Sequence, residues 1–93
     1  MPKASGFVNM MNFVQQYLDG ILDRLDWDVD FNHYLLMNYP KMEKESRELA
    51  ECFNFYLVEE GFDQGIGLSD AEHKKLIRKQ WNQFKAAMED GLL

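Results

Sequence analysis

From Phe7 to Leu25 the apolar residues Phe7, Met11, Val14, Leu18, Ile21, Leu22 and Leu25 recur at spacings of three and four. That spacing lays them along one stripe of an α-helix, so a first helix is expected over about 6–25. Gly20 falls inside it and costs about 1 kcal/mol relative to alanine in a helix interior, which marks a place for a bend or break. A short second helix is expected over about 29–38. It starts behind Asp28 or Asp30 as N-cap and closes before Pro40, which disfavours helical geometry at Tyr39. Proline suits the first turn of the next element, where its missing N–H has no partner in any case. A third helix then runs over about 41–60, burying Met42, Leu49, Phe53 and Tyr56 with Cys52 and Leu57 beside them. The stretch GFDQGIGL, residues 61–68, carries three glycines and reads as a loop.

The clearest local signal follows that loop. Ser69 and Glu72 have the spacing of a capping box, in which the serine oxygen accepts from the backbone N–H three residues on and the glutamate reaches back. A fourth helix is expected over about 70–90, with Leu76, Ile77, Trp81, Phe84 and Met88 on one face. No β-type alternation longer than four residues occurs, and neither a repeat nor a Ser/Pro-rich linker divides the chain. The pattern predicts an all-α fold, a single helical domain over 1–93 built as a small bundle of three long helices and one short one.

Composition is consistent with this picture. Ninety-three residues with 46% apolar content and thirteen aromatics suffice for one modest core. The single cysteine, Cys52, excludes an internal disulfide and fits a reducing compartment. The opening MPKASGFVNMMNFV is interrupted by Asn9 and Asn12 and is too polar for a signal-peptide core or a membrane span. A soluble, cytoplasmic protein is expected. The formal net charge of −6 disfavours direct nucleic-acid binding, which needs lysine and arginine against phosphate, and favours a basic partner.

Four aspartates crowd the stretch LDRLDWDVDFNHYLL, residues 22–36. Asp26, Asp28 and Asp30 match the start of a calcium-binding loop, but Phe31 stands where the turn needs glycine and Met37 where a bidentate glutamate belongs. Aspartates at a helix start have a simpler role, capping free N–H groups at the positive end of the dipole. A second pattern is the pair of Asp-x-x-His motifs, Asp30 with His33 and Asp70 with His73. Each pair shares a helix face, and if the two met in an up-down bundle they would offer carboxylate and imidazole ligands for iron, manganese or zinc. They differ from the Glu-x-x-His pairs of carboxylate-bridged di-metal bundles in residue type and in lying at helix ends. No cofactor is expected otherwise.

No catalytic constellation stands out. GIG at 65–67 lacks the lysine and the preceding strand of a phosphate loop. Cys52 lies on the expected buried side of helix three beside Glu51, which would raise a thiol pKa. The chain is therefore expected to be non-enzymatic.

Charge is unevenly placed. Residues 19–30 hold five aspartates against Arg24, a net −4, and residues 59–72 hold five acids and no base, a net −5. The remainder is net positive, with Lys41, Lys44 and Arg47 in one row and Lys74, Lys75, Arg78 and Lys79 in another. An acidic pole of Asp23, Asp26, Asp28, Asp30, Glu59, Glu60 and Asp63 would attract a basic protein surface and raise its on-rate. Helix one also carries a second apolar row, Met10, Phe13 and Tyr17. A helix apolar over most of its circumference is either central in the core or covered by another chain, so this row is a candidate surface for a partner or a homodimer. The sequence thus points to a protein–protein interaction module of the inhibitor, immunity- or antitoxin-like or adaptor type. The alternatives are a metal-binding helical bundle and a DNA-mimic inhibitor, the latter disfavoured by the basic rows.

Overall fold

The computed structural model describes residues 5–89. The fold is all-α, a small helical bundle with no strand among the described residues. Its elements are α1 (Gly6–Leu18), α2 (Arg24–Glu45), α3 (Arg47–Phe53), a π-helical stretch Asn54–Phe62 continuing directly from α3, and α4 (Asp70–Glu89). The chain divides between Arg47 and Glu48 into two compact units, each a helical hairpin.

In the first unit, α1 and α2 run antiparallel. Phe13 and Tyr17 of α1 meet Trp27 at 5.4 and 4.8 Å between ring centroids, and Trp27 stacks on Phe31 at 4.7 Å. At the other end Asn9 donates to Asn38 at 2.8 Å, and Glu45 accepts from the Ser5 hydroxyl at 2.6 Å and the Gly6 N–H at 2.8 Å. Asn38 in turn donates to the Tyr34 carbonyl at 2.8 Å, so this buried amide is satisfied. Glu45, the last residue of α2, thus clasps the N-terminus of α1, where free N–H groups and the helix dipole both favour a carboxylate.

Four helix boundaries differ from those expected of the sequence. The first helix stops at Leu18 and not near residue 25. Gly20 adopts φ +82°, its N–H bonds the Tyr17 carbonyl, and the Ile21 N–H bonds the Gln16 carbonyl, which together make a Schellman closure. The second helix is the longest of the fold, 22 residues, and starts at Arg24. Asp23 caps it by accepting from the Asp26 N–H at 2.9 Å while Asp26 accepts from the Asp23 N–H at 3.2 Å. The short helix behind Asp28 or Asp30 is therefore not formed. Nor does Pro40 end α2. It cannot donate to the Leu36 carbonyl, but Asn38 and Met42 pack inward on either side of it and Glu45 is fixed to α1, so tertiary contacts carry the helix past the proline. The break falls at Ser46, in extended geometry with φ −165° and ψ 108°, and the third helical segment begins after it.

The second unit pairs the π-helical stretch with α4. Phe53 meets Phe84 edge-on at 5.2 Å, and Gly61 and Gly65 lie against Ile77 and His73. Within the π stretch, the Asn54 side chain donates to Glu59 at 2.9 Å and the Asp63 N–H closes onto the Val58 carbonyl, both at the five-residue separation of a π-turn. Its buried positions, Leu57 and Gly61, follow Phe53, the last residue of α3, at intervals of four. Ser69 and Glu72 form the expected capping box, with Ser69 Oγ accepting from the Glu72 N–H at 3.3 Å and Glu72 accepting from the Ser69 N–H at 3.3 Å. The expected end of the fourth helix at residue 90 lies outside the described residues.

Candidate interaction surface

The Schellman turn at Gly20 and the capping box at Asp23 set the start of α2, and its start fixes which side chains face α1. Trp27, Phe31, Asn38 and Met42 point inward and are buried. On the opposite side, Leu25, Val29 and Leu36 fall within about 40° of one another at 100° per residue. They are 68%, 66% and 77% exposed, and Ile21 in the preceding turn is 70% exposed. Helix α2 is therefore apolar on two opposite faces, with only one of them used inside the unit. Pro40 continues the outer row and Glu43 ends it. A single exposed leucine is ordinary; an aligned row along one helix is what a partner-covered face looks like.

Acidic residues flank this row. Asp28 lies to one side of it, where Arg24 pairs with it at 3.2 Å, and Asp26 and Asp30 lie to the other. Asp19 accepts from Gln15 at 2.9 Å, and Asp23 is the helix cap. The net charge of −4 over residues 19–30 thus surrounds the first half of the apolar row. Toward the end of α2 the flank that carries Asp26 and Asp30 carries Lys41 and Lys44 instead.

The row Met10, Phe13 and Tyr17 is not a docking surface. These side chains are at most 5% exposed, and the two rings form the aromatic contact with Trp27 and Phe31 just described. The homodimer or partner surface expected there is internal core. The true outer row is concealed in the sequence, because the periodicity from Phe7 runs on to Leu25 while caps at Asp28 or Asp30 put Val29 at the start of a separate helix. The spacing of Leu25, Val29 and Leu36 by four and seven is the signal that reveals it.

The two Asp-x-x-His pairs lie in different units, Asp30 and His33 on α2 and Asp70 and His73 on α4. Among the described residues, no three His, Cys, Asp or Glu side chains are grouped so as to hold a metal ion. His33 is exposed, while His73 is 1% exposed with its ring against Gly65. Asp23, Asp26, Asp28 and Asp30 belong to the first hairpin, and Glu59, Glu60 and Asp63 to the π-helical stretch and its end in the second.

Two concavities accompany these features. Between α1 and α2 a cleft of about 250 Å³ is lined by Asn9, Asn12, Gln16, Tyr34, Met37 and Lys41 among others, a set rich in carboxamides with one cation. In the second unit a shallow groove of about 540 Å³ is lined by Leu68 and Leu76 together with Glu72, Lys75 and Lys79, so part of the basic row of α4 borders apolar surface. Cys52 is half-buried, and desolvation pushes its thiol pKa up, which keeps it protonated and weakly nucleophilic. No helix among the described residues is long and apolar enough to cross a membrane.

The chain matches no protein-family model, and no curated protein or solved structure shows significant similarity to it.

Proposed function

We propose that the protein is a non-enzymatic interaction module whose contact surface is the outer face of α2. The observation that carries this is the row of Leu25, Val29 and Leu36, each about two-thirds or more exposed, set in a helix whose first turns belong to a segment of net charge −4. An apolar row flanked by aspartates suits an amphipathic helix that presents leucine-like side chains with lysine or arginine beside them. Burial of the apolar side chains supplies most of the affinity, and the charges supply orientation and on-rate. The partner's chemistry is the basic one expected from composition, but the apolar contact comes from α2 in place of Met10, Phe13 and Tyr17.

The test uses a fluorescently labelled synthetic helix of leucine and lysine in amphipathic register, titrated with the full chain and followed by anisotropy. The same helix with glutamate for lysine is the control. Binding of the lysine helix, weakened roughly tenfold or more by Val29→Lys and reduced by salt, supports the proposal. Equal binding of both helices, or indifference to Val29→Lys, refutes it.

A further inference from the structure

The cleft between α1 and α2 lies on a different side of α2 from Leu25, Val29 and Leu36, and the outer face does not account for it. Its two walls match in spacing. Asn9, Asn12 and Gln16 follow one another along α1 at intervals of three and four, and Tyr34, Met37 and Lys41 repeat those intervals along α2. At 100° per residue each set falls within about 60° and spans about 10 Å of helix. The buried Phe13 and Asn38 complete the lining. Asn9 donates to Asn38 at 2.8 Å and Asn38 to the Tyr34 carbonyl at 2.8 Å, which ties the two helices together beneath the cleft.

The side chains of Asn12 and Gln16 are exposed and make no hydrogen bond among the described residues. Each carries both donors and an acceptor. They stand four residues apart, about 6.0 Å along α1. One edge of an extended peptide presents the N–H and C=O of every second residue, a repeat of about 6.6 Å. Two carboxamides at that separation suit two successive pairs on one edge. The wall of about 10 Å has the length of three extended residues. Across the cleft, Tyr34 and Met37, 42% and 59% exposed, offer apolar contact to a side chain of such a segment. Lys41 stands at the Asn9 end, its Cβ against Gly6, and Asp30 lies one turn before Tyr34 toward the other end. That order of charge directs an acidic group to Lys41. A nucleobase is a poorer fit, since its edge engages one carboxamide at a time and the cleft holds a single cation for phosphate.

We infer that the α1–α2 cleft binds a short extended peptide segment, with one backbone edge on the carboxamides of Asn12 and Gln16, a side chain against Tyr34 and Met37, and an acidic side chain at Lys41. Main-chain hydrogen bonds supply the affinity and the side-chain contacts the specificity, as when a peptide is added to a sheet edge. The cleft, about 250 Å³, is small and open, so binding is weak, with a dissociation constant of about 0.1–1 mM. The site is separate from the outer face of α2, and its occupancy does not depend on the proposal made for that face.

The test titrates the nitrogen-15-labelled full chain with the blocked peptide acetyl-Thr-Val-Thr-Val-Asp-amide to about 5 mM, well above the expected dissociation constant. The side-chain NH2 signals of Asn12 and Gln16 appear in the same spectra as the backbone amides, so the two groups report directly. Both are expected to shift and saturate together. Asn12→Ala and Gln16→Ala, at exposed helical positions, are each expected to weaken binding about two- to tenfold, as for one ordinary hydrogen bond, with the far-ultraviolet circular dichroism unchanged. Lys41→Gln is expected to weaken it severalfold and to remove the salt dependence. The same peptide with asparagine in place of aspartate is expected to bind wild type and Lys41→Gln alike. Two further peptides, N-methylated at both threonines or at both valines, each block one backbone edge. One is expected to lose binding about tenfold or more and the other to retain it. No saturable shift at Asn12 and Gln16 overturns the inference, as do shifts that survive both alanine variants. Retention of binding by both methylated peptides, or loss by both, overturns the edge-on arrangement. Adenosine monophosphate is titrated in parallel, and saturation of Asn12 and Gln16 by it and not by the peptide also overturns the inference. Val29→Lys, which tests the outer face of α2, is expected to leave peptide binding unchanged, so the two sites fail or stand separately.

Discussion

Replacing Gly20 with alanine gives opposite results for the two ways in which the first helix can be drawn. In an uninterrupted helix over 6–25, alanine at position 20 would stabilise the chain by about 1 kcal/mol. In the structure Gly20 has φ +82° and closes α1, and a Cβ added there meets no atom within 4 Å. The cost of alanine is therefore purely conformational. Holding an L-residue in the left-handed region costs about 1–2 kcal/mol, and the narrower unfolded ensemble of alanine returns about 0.4–1 kcal/mol. The expected net effect is a loss of about 1 kcal/mol, which for a chain of this size lowers the midpoint temperature by about 4–8 °C. Urea unfolding followed by circular dichroism and by tryptophan fluorescence measures it, with coincidence of the two probes as the check on two-state behaviour. Asparagine, which tolerates the left-handed region, is expected to recover part of the loss. An alanine variant as stable as the wild type or more so would refute the turn and restore the continuous helix.

Three further outcomes follow from the packing. Glu45 has its pKa lowered, first by the Ser5 hydroxyl and then by the Gly6 and Phe7 N–H groups, with desolvation opposing. Its contribution is therefore complete above the unfolded carboxylate pKa of about 4.3 and is lost as pH falls through the lower folded value. Glu45→Gln is expected to cost about 1 kcal/mol at neutral pH, as for a lost cap, and nothing once pH is below the folded value; a difference from wild type that persists unchanged into acid would count against the clasp. Gly65→Ala would place a Cβ 2.6 Å from the His73 ring and is expected to destabilise by about 1–3 kcal/mol. In a double-mutant cycle His73→Ala should relieve part of that cost, and strict additivity would show that the two do not touch. Met10→Ala in the buried row is expected to cost about 2–5 kcal/mol, whereas Leu36→Lys at the exposed row should stay within about 0.5 kcal/mol, both measured by urea titration.

The residues legible in the sequence are those whose structure is set by near neighbours. The Ser69–Glu72 box and the apolar face Ile77, Trp81 and Phe84 follow from spacings of three and four, and three glycines mark the loop before the box, although Gly61 and Phe62 of that stretch belong to the π-helical segment. The boundaries that moved depend on contacts far along the chain. Pro40 reads as a helix stop until Asn9, 29 positions before Asn38, is seen to hold that residue, and Ser5 and Gly6 to hold Glu45. Gly20 offers both a bend and a helix end, and only its positive φ chooses between them. Misplacing that end hides the site, because it splits Leu25 from Val29 and Leu36 and leaves helix one as the only element apolar all round. The π-helical stretch has no sequence signature of its own; its interval of four at Phe53, Leu57 and Gly61 is equally that of an α-helix face. His73 and the two Asp-x-x-His pairs show the same limit, since helical spacing places Asp30 with His33 and Asp70 with His73 but does not bring one pair to the other.

The central claim is that the outer face of α2 is where this protein meets its partner. Amide chemical-shift mapping of the full chain, labelled with nitrogen-15 and titrated with the leucine–lysine helix, tests it residue by residue. The largest shifts are expected from Ile21 to Met37 on α2 and the turn before it, on the exposed row and its flanking aspartates. Shifts concentrated instead on Asn9, Asn12 and Gln16 of α1, or on the α4 groove around Lys75 and Lys79, would contradict it.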